Sequence, residues 1–196
     1  MQELFYEETA ALQNVGSAKT KYYLIKTFSI LSYCIAVLWF VLELTFFPLE
    51  GNMLLNILFA AIPFAIFLIS GIMLGKIKDR LYVDYDYTFV SGSIRFSRVI
   101  KNVKRKSVLL FDTQNIEKIG KYGSTTYTKY AALPNKKQIF LTSNQEPAED
   151  KDFYYMVVNV KGQKYFLILE CTELFLSNIL KYTGRMFFED DFFSKR

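Results

Sequence analysis

Apolar residues gather in two long blocks near the start of the chain, and the pattern changes character after them. The first block runs from Thr27 to Phe47, 21 residues with Glu43 as the only charge. The second runs from Met53 to Leu74, 22 residues with no charge. At ~1.5 Å of rise per residue, either block as a helix crosses a hydrocarbon core of ~30 Å. A helix of that length in water needs a polar side, and neither block has one. Pro48-Leu-Glu-Gly-Asn52 joins them and contains two helix breakers. The pattern predicts a transmembrane hairpin over 27–75, with helices at 27–47 and 53–74.

Beyond Arg80 the apolar period drops to two. Alternating or β-branched and aromatic runs at 82–90, 94–99, 105–111, 116–122, 138–142, 153–160 and 163–169 predict seven strands. Ser91-Gly-Ser93 and Lys161-Gly162 are the turns of two hairpins. Lys121 to Asn135 and Ser143 to Asp152 read as loops. The period then becomes helical: Thr172 caps, Glu173 suits the first turn, and Phe175, Leu176, Ile179, Leu180 and Tyr182 form a stripe that stops at Gly184. A bent antiparallel sheet of seven strands with one late helix predicts a closed β-barrel, capped at one end by that C-terminal helix.

Charge adds orientation. Lys19, Lys21 and Lys26 precede the first apolar block, Lys76, Lys78 and Arg80 follow the second, and the connecting segment has no Lys or Arg. By the positive-inside rule both termini lie in the cytoplasm, and the chain is a multi-pass protein of the cell membrane. The residues from Leu81 onward carry 18 basic and 13 acidic side chains, the whole net charge of +5. The segments are thus 1–26, cytoplasmic; 27–75, the hairpin; 81–188, a cytoplasmic domain; and 189–196, an acidic-aromatic tail. Glu3-Leu-Phe-Tyr-Glu-Glu8 and Met186-Phe-Phe-Glu-Asp-Asp-Phe-Phe193 are both aromatic and acidic, and pack on the domain, the membrane surface or a partner.

The inventory of reactive groups argues against an enzyme. The chain has no histidine, which excludes histidine-based triads and general bases. Its two cysteines, Cys34 and Cys171, are far apart and form no metal cluster; Cys171 at a strand-to-helix junction reads as a small buried residue, with a thiol activated by the helix start as the alternative. No phosphate loop or dinucleotide fingerprint is present. No cofactor, metal or nucleic-acid partner is expected.

Binding is a better prospect. Arg95, Arg98, Lys101, Lys104, Arg105 and Lys106 place six cations within twelve residues around one hairpin. Such a juxtamembrane cluster draws anionic headgroups at ~1 kcal/mol per residue; the plainer reading is a solvated basic hairpin. Gly71 and Gly75, with Ala61 and Ala65 roughly on the same side, permit close helix packing, within the hairpin or in a homodimer. Glu43 reads either as a snorkelling carboxylate or as an ion site. Pro63 is expected to kink the second helix.

The strand order and count, with Val108-Leu-Leu-Phe-Asp-Thr-Gln-Asn-Ile-Glu-Lys-Ile119, resemble the bacterial pleckstrin-homology-like domain, especially its membrane-tethered versions, over about Leu81 to Phe188. Leu4-Phe-Tyr-Glu-Glu8 and Tyr85-Asp-Tyr-Thr-Phe-Val-Ser-Gly92 also resemble an uncharacterised family of small two-helix membrane proteins of Gram-positive anaerobes. That resemblance implies architecture and no activity. The expectation is a membrane-anchored, non-enzymatic interaction or scaffold protein that holds its domain at the inner membrane face and engages another membrane or cytoplasmic protein. The alternative is a lipid-sensing accessory protein acting through the basic hairpin.

Overall fold

Phe5–Ala10 forms a strand, β1, and its partner is β2 (Val83–Val90), which lies beyond both apolar helices in the chain. The structure, a computed structural model, describes residues 4–46, 52–101, 103–183 and 188. It divides into a helical unit, Asn14–Tyr82, and a sheet unit made of Met1–Gln13 and Val83–Arg196. The helices are thus an insertion between two neighbouring strands of one sheet.

The helical unit holds α1 (Val15–Phe46) and α2 (Met53–Lys78), both long and apolar enough to cross a membrane. Asn52 caps α2 by accepting from the Leu54 N–H at 3.1 Å. The connecting residues 47–51 lie outside the described residues. The two helices meet along one seam. The Ser29 hydroxyl donates to the Gly71 carbonyl at 2.8 Å, and the Trp39 indole N–H donates to the Ala60 carbonyl at 3.1 Å. Between these, Tyr33 lies on Gly71, and further along the Phe40 and Phe64 rings sit 5.7 Å apart. Positions 29, 33 and 40 on one helix recur at near-helical intervals, as a packed seam requires. Most other large apolar side chains of the unit are exposed.

The sheet unit contains two four-stranded sheets, β1-β2-β3-β4 and β5-β7-β8-β6. Here β3 is Ser93–Ile100, β4 Lys104–Asp112, β5 Ile116–Lys121, β6 Lys136–Phe140, β7 Asp152–Val160 and β8 Gln163–Cys171. The expected closed, all-antiparallel barrel is not formed: both sheets are open, and β6 pairs with β8 in parallel. Two features of the chain account for this. After β4 the ladder is interrupted by a short 3-10 turn at Thr113–Asn115, where the Asn115 side chain accepts from the Asp112 N–H and donates to the Asn159 carbonyl. That contact directs the chain to β7, so β5 pairs there and not with β4. Leu141–Lys151 then carries the chain past β8 before β7 begins, which leaves β6 on the far side of β8 and parallel to it.

One apolar core lies between the sheets. Tyr87, Phe89, Ile94 and Phe96 come from the first sheet, and Ile119, Met156, Leu167 and Leu169 from the second. The expected C-terminal helix is present as α4 (Glu173–Thr183), a short element that buries Phe175, Leu176 and Ile179 in the same core. Gly184, its expected stop, lies outside the described residues, as does the tail at 189–196. Phe188 is buried and bridges to Ile119. Part of the expected loop at 121–135 is instead helix α3 (Thr125–Ala131), capped by Ser124 and closed by Lys136, whose ammonium donates to the carbonyls of Ala131 and Leu133. Its Tyr127 and Tyr130 cover Tyr155, Val157, Phe166 and Ile168 on the outer face of β7 and β8. Burial on both faces explains why these two strands carry apolar runs rather than strict alternation.

Candidate functional site

Strand register distributes the basic residues. Ile94 and Phe96 point into the core, so on the same strand Arg95 points outward and Arg98 returns to the core side. A bulge opposite Phe96/Ser97 resets the parity of β4, where Arg98 faces Lys106, Val99 faces Arg105 and Ile100 faces Lys104. Arg105 therefore shares the outer face with Asp86 and Glu7, and its guanidinium reaches their carboxylates at 3.1 and 3.6 Å. Lys104 and Lys106 alternate to the other face, and Lys101 sits in the turn with φ of 53°. The six cations thus do not share one face. What the structure brings together at the hairpin end is Lys101, Lys104 and the intervening Val103, which is 82% exposed.

A second cluster surrounds the two points where the chain leaves and re-enters the sheet unit. Glu8 on β1 accepts from the Thr172 N–H at 3.0 Å, the Thr172 hydroxyl at 2.9 Å and the Lys151 ammonium at 2.9 Å. Lys151 also donates to the Thr9 carbonyl at 2.6 Å. Glu170, with no exposed surface, accepts from Thr142, from the Asn144 amide and from the Ala148 N–H at 3.0 Å. Asn144 in turn donates to the Ala11 carbonyl at 2.8 Å and accepts from the Gln13 N–H at 3.0 Å. Asp84 accepts from the Leu12 N–H at 2.7 Å, and the Ser143 hydroxyl donates to the Val83 carbonyl at 2.9 Å. The segment 143–152, read from sequence as a polar loop, is therefore a clasp over Thr9–Gln13 and Val83. Glu8, Asn144 and Glu170 carry it. Sequence reasoning missed them because ordinary polar types at scattered positions give no periodic signal; the acidic-aromatic segment around Glu8 was the one trace.

In the helical unit Gly71 and Gly75 face α1. A Cβ at Gly71 would lie 2.9 Å from the Tyr33 ring, and one at Gly75 would lie 3.7 Å from the Ser29 hydroxyl oxygen. These glycines serve contact inside the hairpin. Ala61 lines a groove further along the same pair of helices, and Ala65 is half-buried. Cys171 is fully buried, and desolvation pushes its thiol well above the ordinary cysteine value, so it stays protonated and unreactive. Cys34 lies exposed on α1.

Two open sheets and a short helix around one core, interrupted by a long apolar helical pair, define a pleckstrin-homology-like domain with a candidate membrane insertion. The chain belongs to the family described as bacterial PH-like domain (DUF6106), whose model matches residues 13–189. The match takes in both long helices and β2 to β8; β1 precedes it. Comparison with curated proteins and with solved structures finds no significant match in either.

Proposed function

We propose that this protein is a membrane-anchored, non-enzymatic scaffold that holds its PH-like domain at the inner membrane face for a protein partner. The observation that supports the reading most is the insertion of the helical pair between β1 and β2. These strands pair from Phe5↔Val90 to Ala10↔Tyr85, which supports both ends of the insertion lying on one side of a bilayer. Only Ala11–Asn14 and Asp79–Tyr82 link the units. Four extended residues reach ~14 Å, and two links that short favour a membrane-anchored domain over one free in solution. The absence of basic residues between the helices, against six flanking them, supports the cytoplasm as that side.

The open sheets supply the docking surface. β1 and β4 are the edges of the first sheet, and β6 is an edge of the second. β4 and β6 carry lysines, which discourage strand addition, whereas β1 has none and presents Phe5. A photo-crosslinking amino acid in place of Phe5, in intact cells, should give one discrete protein adduct. Adducts with lipid alone would overturn the scaffold reading. Orientation is checked with Asn52→Cys in a background lacking Cys34 and Cys171: an impermeant thiol reagent should modify it from outside, and modification of Ser17→Cys from outside instead would reverse the topology.

A second reading, anionic-lipid contact, is supported by Val103. An exposed apolar tip between Lys101 and Lys104 is the arrangement that dips into a headgroup layer while its lysines meet phosphate. Replacement of Lys101, Lys104, Arg105 and Lys106 by Gln should then weaken cross-linking of lipid at Val103, and salt should do the same.

A further inference from the structure

Between α1 and α2, toward the ends nearest their connection, lies a groove of about 510 Å³ lined by Trp39, Phe40, Glu43, Ile57, Ala61 and Phe64 among others. Its size falls in the ~300–1,000 Å³ range of small-molecule sites, and its walls are apolar except for one carboxylate. Ala61 leaves the space that a larger residue would fill. The Trp39 indole is held on one wall by its hydrogen bond to the Ala60 carbonyl, one turn before Pro63. Glu43 stands one turn from Trp39 on the same helix, and no basic side chain pairs with it among the described residues.

We propose that this groove binds an amphiphile with a cationic headgroup, its chain between the aromatic walls and its ammonium against Glu43. The inference rests on the membrane reading of the hairpin. Charge complementarity selects the occupant. A carboxylate inside a bilayer is costly without a counter-charge, and the hairpin itself offers none between Thr27 and Leu74. Aromatic faces beside a carboxylate suit an ammonium group twice over. Position agrees: Glu43 is three residues from the end of α1, ~4.5 Å along the axis, where a lipid headgroup sits. A partner helix would need a seam along the whole span. The lining on α2 runs only from Ile57 to Phe64, ~10 Å, which matches a headgroup and the upper part of a chain.

Trp39 is the only tryptophan in the chain, so its fluorescence reports on this groove alone. The full-length protein is reconstituted in vesicles of a neutral diacyl glycolipid, which carries no ammonium group, with a small fraction of a lipid brominated on its acyl chains. One series uses a cationic ammonium lipid and the other an anionic phosphatidylglycerol with the same chains. Quenching of Trp39 should favour the cationic lipid by about fivefold, the scale of one half-exposed ion pair. Glu43→Gln, which keeps the shape, should abolish the preference while leaving quenching by the anionic lipid unchanged. Ala61→Phe, which fills the groove and keeps the charge, should also remove it. Equal quenching by both lipids in the unaltered protein, or a preference that survives Glu43→Gln, overturns the proposal. Quenching that falls as protein is crowded in the vesicles assigns the groove to a second copy and overturns it as well. If no brominated lipid dims Trp39, the helices are not in the bilayer, and the membrane reading itself fails.

Discussion

The Tyr87 hydroxyl donates to the carbonyl oxygen of Leu141 at 2.6 Å and accepts from the Glu170 N–H at 3.2 Å. Tyr87 belongs to β2 and Glu170 to β8, so one buried phenol joins the two open sheets. An open pair of sheets lacks the continuous ladder of a barrel, and contacts of this kind hold its halves in register. Tyr87→Phe leaves the ring in the core and removes both bonds. It should cost about 1–3 kcal/mol, because a buried carbonyl and a buried N–H lose their partner. Urea unfolding of the detergent-solubilised protein measures the loss; a change below a few tenths would show that water replaces the phenol.

The same residue gives the domain an alkaline limit. Burial raises the Tyr87 hydroxyl and the Cys171 thiol well above their ordinary values. In the unfolded chain these groups ionise near their usual pKa values of roughly 10 and 8.5, while the folded state keeps both protonated. Above roughly pH 8.5 the unfolded state therefore binds fewer protons, and stability falls as pH rises. Below that point the contribution is fully present. The urea midpoint should decline between pH 8 and 10.5, and the double variant Tyr87→Phe, Cys171→Ala should flatten that slope.

Glu8 is the residue that fastens β1. Its carboxylate holds Thr172 at the start of α4 and Lys151 in the clasp, and all three are largely buried or half-buried. Glu8→Ala leaves Lys151 without its counter-ion and should cost about 3 kcal/mol. The local result is more specific than the global one. Amide hydrogen exchange should rise over Phe5–Ala10 before it rises in β7 and β8, since β1 is an edge strand paired on one side only. Exchange that rises equally in all strands would mean that Glu8 supports the whole fold rather than its first strand.

Gly71 sets how closely the two long helices approach. A Cβ there would lie 2.9 Å from the Tyr33 ring, tighter than side chains tolerate. Gly71→Val should open the hairpin at that level and cost about 1–3 kcal/mol, and Tyr33→Ala in the same chain should recover most of it. Cross-linking between cysteines at Ser29 and Gly75, with Cys34 and Cys171 removed, reads the separation: efficient in the parent, poor in Gly71→Val, restored in the double variant. If Gly71→Val instead dissociates a dimer and leaves this cross-link intact, the glycine serves contact between copies.

What the sequence determined by itself is what depends on local periodicity. Two charge-poor runs of more than twenty residues specify the long helices, because nothing else buries so many consecutive apolar side chains. Period-two alternation located β2 to β5 and β7 to β8 within a residue or two, and the stripe from Phe175 to Tyr182 located α4. Tertiary structure alone decided what those elements pair with. Phe5–Ala10 is a strand only because β2 accepts it across the 72 intervening residues 11–82, and that partnership leaves no local trace. The barrel failed to close because a capped turn at Asp112–Asn115 sends β5 to β7, a choice set by a hydrogen bond to Asn159 that lies 44 residues away. The groove at Glu43 was hidden for the same reason. An apolar helix looks alike on every side in sequence, and only the crossing of two helices decides which carboxylate faces a cavity.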